Sequence, residues 1–298
     1  MSRSLRRAAA VAGLLLTMDV AAAAQDAQDA PPERKALKVC QDPNNLPFSN
    51  LAGEGIENKI AEVFGKALGL PVTYYSFPQR MAFIRNTLRF KLPGSDYPCD
   101  IVMGVPVGYD QVSVTKPYYR STYAMVIPQG RGLDDIASAA DLIALPSERM
   151  DRLRIGVVDR GPASDWLALH NMLEHGVPYK MLNADPEQHP GEIVEKDLAA
   201  GKIDVAIVWG PIAGFYAKRV KTPVLKVIAL ESEPGVQFDY QMAMGVRYGE
   251  REWKQQIESL IVSHQPEIQA ILAEFGVPLA AAKPSATAAV AAPAAPKP

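Results

Sequence analysis

Asp42, Asn44 and Asn45 crowd three hard-oxygen side chains into the stretch CQDPNNLPFSN, directly after the short apolar run Leu37 to Val39. Donors at that density can hold a cation, accept hydrogen bonds from exposed backbone amides, or present a carboxylate to a ligand. A calcium loop needs the spacing D-x-[DN]-x-[DN]-G, which is absent, so capping of amides is favoured over metal binding. His170, His175, His189 and His264 lack both an HExxH spacing and a cysteine partner, and surface histidines are the expectation. No metal or other cofactor is expected of this chain. Acid–base catalysis would need a second carboxyl facing Asp42, for which Asp159 and Asp165 around the Gly161-Pro162 turn are the candidates. The aromatics Phe48, Tyr109, Tyr118, Tyr119 and Tyr123, with Trp209 and Phe215 further on, suit either an apolar ligand or a partner's side chains, while some of them must build core.

Alternating strand and helix patterns position these residues. LKVC (37–40) reads as a strand, and IENKIAEVFGKALGL spaces Ile56, Ile60, Val63, Phe64 and Ala67 as a helix that stops at Gly69. VTYYSF (72–77) follows as a strand. PQRMAFIRNTLRF is expected to be helical, with Arg80, Arg85 and Arg89 on a solvated face, and CDIVMGV (99–105) is a continuous apolar strand. A second α/β unit then starts with RIGVV, a helix from Pro162 to Leu173, PYKML, a helix in GEIVEKDLAAGK, and IDVAIVW (203–209). TYAMVI (122–127) and YQMAMGV (240–246) flank that unit as two crossing β runs, so two lobes should face each other across a cleft at the carboxyl ends of their strands. Pro43 and Pro47 stiffen the opening loop, which suits one wall of an open, preorganised cleft with Phe48 packed inward as an anchor; Trp209 and the turn from Asp159 to Ser164, including Arg160, are expected across from it.

Length and composition agree with two modest cores: 298 residues, 48% hydrophobic, net charge -2 with both signs interspersed. No basic footprint points to nucleic acid. The N-terminus carries Arg3, Arg6 and Arg7, then an apolar run from Ala8 to about Thr17, then small residues to Ala24. That order makes a secretory signal peptide over 1–24, too short in its apolar part to span a bilayer, and an exported, periplasmic chain without stable membrane association is expected. Residues 25–34 and the Ala/Pro tract 280–298 are expected to be disordered. Lobe one should comprise 35–127 and 240–279, and lobe two 128–239.

The even cysteine count in an oxidising compartment favours a Cys40–Cys99 bridge. Against it, Cys40 ends the first strand and Cys99 begins the third, which in parallel neighbours puts them at opposite ends, several rises of about 3.3 Å apart. Two small buried apolar residues are the alternative.

This layout resembles periplasmic solute-binding proteins of the amino-acid-binding type, which implies a two-lobed, type II periplasmic binding protein-like fold. In that family the loop after the first strand carries a ligand-facing Asp, here Asp42. A stretch after the third strand supplies an Arg for the substrate carboxylate, and lobe two supplies an Asp for the ammonium. No Arg lies between Met103 and Tyr119, and Trp209-Gly210 stands where the acidic group is expected, so the amino-acid clamp is missing. The strings CQDPNNLPFSN, GEGIENKIAEVFGKALGLPV, FPQRMAFIRNTL, CDIVMGVPVGYD and TKPYYRSTYAMV, in that order, resemble the J component encoded beside periplasmic quinoprotein methanol dehydrogenases. That resemblance implies a non-catalytic accessory protein that assists a PQQ-dependent methanol dehydrogenase, with the dehydrogenase's cytochrome c as a second candidate partner. The alternative is the receptor of an ABC transporter for an apolar or aromatic solute. For either, the cleft or partner-binding candidates are Asp42, Asn44, Asn45, Phe48, Tyr109, Tyr118, Tyr119, Arg160 and Trp209.

Overall fold

The computed structural model describes residues 34–79, 82–180 and 187–280. The expected signal peptide, most of the 25–34 segment, nearly all of the Ala/Pro tract, and Arg80 and Met81 lie outside the described residues. From Ala36 onward the chain groups as one compact unit.

Twelve strands are described: β1 (Leu37–Gln41), β2 (Asn44–Asn45), β3 (Ser49–Asn50), β4 (Val72–Ser76), β5 (Ile101–Pro106), β6 (Ser113–Val114), β7 (Tyr119–Pro128), β8 (Ile155–Val158), β9 (Gly176–Tyr179), β10 (Val205–Trp209), β11 (Leu225–Ala229) and β12 (Asp239–Val246). The main sheet runs β4-β1-β5-β12-β7-β10-β8-β9, with β11 on β7 and β6 on β12. Parallel strands lie at both ends, where β1 pairs with β4 and β5, and β8 with β9 and β10. The two crossing runs join them, β12 pairing antiparallel with both β5 and β7. β7 changes group along its length: Tyr119 to Thr122 pair with β12, whereas Tyr123 to Pro128 pair with β10 and β11.

The helices are α1 (Ile56–Leu68), α2 (Phe83–Asn86), α3 (Ala139–Ile143), α4 (Ser147–Met150), α5 (Pro162–Leu169), α6 (Gly210–Arg219), α7 (Arg251–Ser263) and α8 (Gln265–Glu274). In α1 the spacing of Ile56, Ile60 and Phe64 buries one face, and Gly69 at φ 65° closes the helix in the left-handed conformation a Cβ disfavours. Burial of each such large side chain stabilises by about 1.5–3 kcal/mol. One core gathers α1, α7 and α8 against β1, β5 and β12; two others cover the faces of the β7–β10–β8 sheet. Among the described residues no helix is long and apolar enough to cross a membrane.

Several local expectations shift. The helix expected over Pro78 to Phe90 shrinks to α2, because Ala82 at φ 67° starts it and Thr87 at φ -124°, ψ -88° ends it. The helix expected to Leu173 ends at Leu169, with Asn171 at φ 56° and a 3₁₀ turn at Leu173–His175 beyond. The GEIVEKDLAAGK helix is wound as a π-helix over Ile193–Leu198. The cysteines are bridged, with Cα atoms 5.2 Å apart. The strand-end objection fails because β5 starts at Ile101, and Cys99 sits before it in a loop that no ladder register constrains. Buried Arg247 helps hold that loop by donating to Cys99 O at 2.6 Å and pairing with buried Asp100.

Candidate functional site

The opening loop is built by its own polar groups. Asp42 Oδ1 accepts from Asn44 N at 2.8 Å, and Oδ2 accepts from Gln79 N. Ser49 Oγ donates to Asp42 O at 2.9 Å and accepts from Asp42 N at 3.2 Å, while Asn45 Nδ2 donates to Gln79 Oε1 at 2.8 Å. The short β2–β3 hairpin closes the turn. Loop carbonyls then satisfy the start of α1, where Ile56 N donates to Pro47 O at 2.8 Å and Glu57 N to Phe48 O at 2.9 Å. Gly55 makes that approach feasible, since a Cβ there would stand 2.1 Å from Phe48 O.

Instead of bordering an open gap, the loop meets the second lobe directly. Asn44 Nδ2 donates to Glu187 O at 3.3 Å, Tyr216 Oη donates to Leu46 O at 3.2 Å, and Phe48 packs with the core that contains Ile193, Val194 and Tyr216. Tyr216 in turn stacks on His189, centroids 5.5 Å apart, and its hydroxyl lies 3.0 Å from Nδ1; His189 Nε2 lies 2.9 Å from Glu195.

The same helix, α6, is held from its other side. A Cβ at Gly214 would stand 1.8 Å from Gly276 O, so helix and post-α8 backbone touch. Phe215 stacks on Phe275 at 5.6 Å, and Lys218 Nζ donates to Ala273 O at 2.9 Å and Glu274 O at 3.0 Å, placing a cation on the C-terminal carbonyls of α8. At its start Trp209 is half-buried between two cores, edge-on to Tyr123 at 5.5 Å and Tyr240 at 5.9 Å. α6 is thus gripped by the opening loop on one side and by α8 on the other.

Below the loop lies a carboxyl that sequence reasoning passed over. Glu57, in the first turn of α1, is half-buried and packed so tightly on Gly104 that a Cβ there would come within 2.5 Å of Oε1; Gly104 sits at φ 73°. Burial, and secondarily the charge of Asp42, push its pKa from 4.5 to about 8, although a part of its surface stays accessible. Tyr119 is pushed up as well, by burial and then by Glu57. A carboxyl kept protonated near neutrality beside an ionised one can donate a hydrogen bond. Glu57, Tyr216 and His189 carried no motif; the GEG turn before Glu57 and the Gly210/Gly214 spacing were the available signals.

Other expected site residues lie elsewhere. Tyr118 and Tyr119 are buried in the first core, edge-on to each other at 4.8 Å, because the KPYY strand entry points both rings inward; they are core rather than rim. Tyr109 packs against the core around the disulfide. Arg160 projects into solvent, its side chain 91% exposed, with Asp159 at 3.3 Å. Asp159 and Asp165 are both exposed. The arginine that follows KPYY, Arg120, pairs with Asp239 on the crossing strands. Among the described residues no group of three or more His, Cys, Asp or Glu could hold a metal.

No family model matches the chain. It is 34% identical to the crystal structure of the periplasmic binding protein XoxJ from Methylobacterium extorquens AM1, with a TM-score of 0.66, over 83% of this chain and 100% of that one. The chain belongs to the XoxJ family of periplasmic binding proteins. A curated relative, protein MoxJ of Paracoccus denitrificans, is 29% identical over 82% of this chain and 88% of its own length. MxaJ from Methlophaga aminisulfidivorans MPT shares the fold at TM-score 0.68 and 24% identity, over 82% of this chain and 100% of that one. Family membership carries the two-lobed type II fold, into which β7 and β12 fit as the two crossover segments.

Proposed function

We propose that this chain is a non-catalytic periplasmic accessory protein of methanol oxidation, which binds a PQQ-dependent methanol dehydrogenase and assists its activation or maturation. Its relatives' names support that setting, and the opening loop with α6 carries the reading. A transport receptor alternates between open and closed lobes around its solute. In this chain Phe48, Leu46 and Asn44 of the first lobe pack and hydrogen-bond directly onto the second lobe, and α6 is tied to α8 behind. Preorganised two-lobe surfaces suit recognition of a protein better than capture of a small molecule.

The decisive experiment deletes the gene and assays dehydrogenase activity and PQQ loading in periplasmic extract, alongside association of the purified proteins. Loss of activity or loading in the deletion, restored by the gene in trans, is expected. Activity and loading at parental levels would overturn the reading.

A further inference from the structure

The segment from Thr87 to Asp100 contains no helix or strand, yet it is firmly held at its base. Arg247 is only 8% exposed and donates through one nitrogen to both feet of the loop, to Leu88 O at 3.1 Å and Cys99 O at 2.6 Å. Its guanidinium also covers the Tyr97 ring at 4.0 Å, and the Cys40–Cys99 bridge fixes the same foot to β1. Between the feet, Phe90 N donates to Thr87 O at 3.0 Å and Ser95 N to Leu92 O at 3.1 Å, so the tip is turned rather than extended. Long connections of this kind in a compact fold are usually functional. A buried arginine spent on tying them down fixes the tip in advance, which lowers the ordering cost of binding.

What the loop presents is specific. Phe90 is 37% and Leu92 58% exposed. Around them Arg85, Arg89 and Lys91 are exposed, against a single acid, Asp96, between Ala82 and Pro98. Neither Arg85 nor Arg89 has a carboxylate partner among the described residues, in a chain whose net charge is -2. Lys91 lies over the Tyr97 ring at 5.0 Å and Arg85 and Arg89 stay free of carboxylates among the described residues, and an apolar tip flanked by such cations fits an acidic surface with an apolar recess. Three cations fall short of the four to eight by which polybasic segments hold anionic membranes.

We infer that the Leu88–Cys99 loop, with Arg85, is the docking element for an acidic protein face that takes Phe90 and Leu92 into an apolar recess. It rests on the reading above, under which that face belongs to the methanol dehydrogenase. The charges set the encounter rate and its salt dependence; the apolar pair sets the lifetime of the complex.

The test measures binding of the full mature chain to purified dehydrogenase by surface plasmon resonance at two salt concentrations. Arg85→Glu/Arg89→Glu is expected to slow association about tenfold at low salt and to flatten its salt dependence. Phe90→Ser/Leu92→Ser is expected to speed dissociation tenfold or more, at about 1.4 kcal/mol per factor of ten. The charge-matched control Arg152→Glu/Lys180→Glu should bind as the parent does, and melting temperatures of all variants should match. If the parent binds and the loop variants bind equally well, the loop is not the docking element although the functional reading stands. If the parent does not bind, both fall. Loop-dependent binding to phosphatidylglycerol vesicles but not to the dehydrogenase would overturn the protein assignment in favour of a membrane.

Discussion

Replacing Glu57 with Gln should make the protein more stable than the parent, and increasingly so as pH rises. The native pKa of Glu57 is raised from 4.5 to about 8. Below about 4.5 the carboxyl is protonated in both folded and unfolded states, so its contribution to stability is fully present. Above that value only the folded state keeps the proton, and stability is lost as pH climbs through about 8. Each pH unit between the two values costs about 1.4 kcal/mol, or about 2.5 kcal/mol from pH 5 to pH 7, an upper figure because the side chain keeps some solvent contact. For a folded body of this size that corresponds to about 5–10 °C in melting temperature. Glutamine cannot ionise and keeps the shape, so the difference between Glu57→Gln and parent isolates this one group from every other titration. Melts followed by circular dichroism from pH 5 to pH 9 measure it. Burial is the larger cause and Asp42 the smaller, so Asp42→Asn should narrow the pH window of this loss from its upper end without abolishing it. A variant-minus-parent difference that stays constant across that range would refute the half-buried, protonated Glu57.

Two further outcomes follow from the same geometry. The Cys40–Cys99 bridge spans 59 residues, so a Cys40→Ala/Cys99→Ala double variant should lose about 4 kcal/mol in urea unfolding, and reduced parent protein should fall to the same level; equal stability of variant and oxidised parent would contradict it. Gly214→Ala adds a Cβ 1.8 Å from a backbone oxygen that cannot swing aside, and despite the gain in helix propensity it should cost about 1–3 kcal/mol, with faster hydrogen exchange in α6 and α8; parental exchange rates there would show that the two helices are not in contact.

The architecture was legible because hydrophobic periodicity changes sharply between strand and helix in this chain. The β-α-β starts and both crossing strands, read from TYAMVI and YQMAMGV, emerge as β7 and β12. The opening loop's internal bonding was equally readable: Asp42, Asn44 and two prolines leave few other uses for the carboxylate. Helix lengths were not, since Ala82, Asn171 and the π-wound Ile193–Leu198 depart from regular geometry without a Gly or Pro to announce it. Strand register misplaces Cys99 relative to Cys40, because Cys99 lies outside β5 and is free to fold back to the bridge. Tyr118 and Tyr119 show why aromatic content cannot by itself separate rim from core: one pattern serves both, and only tertiary packing assigns the face. The interlobe contacts were invisible for a similar reason, because Phe48, Tyr216 and Lys218 are ordinary residues until the fold brings segments far apart in sequence together.

Those contacts also bear on what a cleft can do. Separating the lobes would strip Phe48 from its core, break the Phe215–Phe275 stack and expose part of Trp209, with Lys218 leaving the α8 carbonyls. Burial of a single large side chain stabilises by about 1.5–3 kcal/mol, so opening costs on the order of 5 kcal/mol and leaves an open population of roughly one in several thousand. A solute that binds only the open form would have its apparent affinity weakened in proportion to the open fraction. An incoming protein surface faces no such penalty, because it meets groups that are already outside and already ordered. Rigidity that would handicap a carrier therefore favours a chain that works through its outer face.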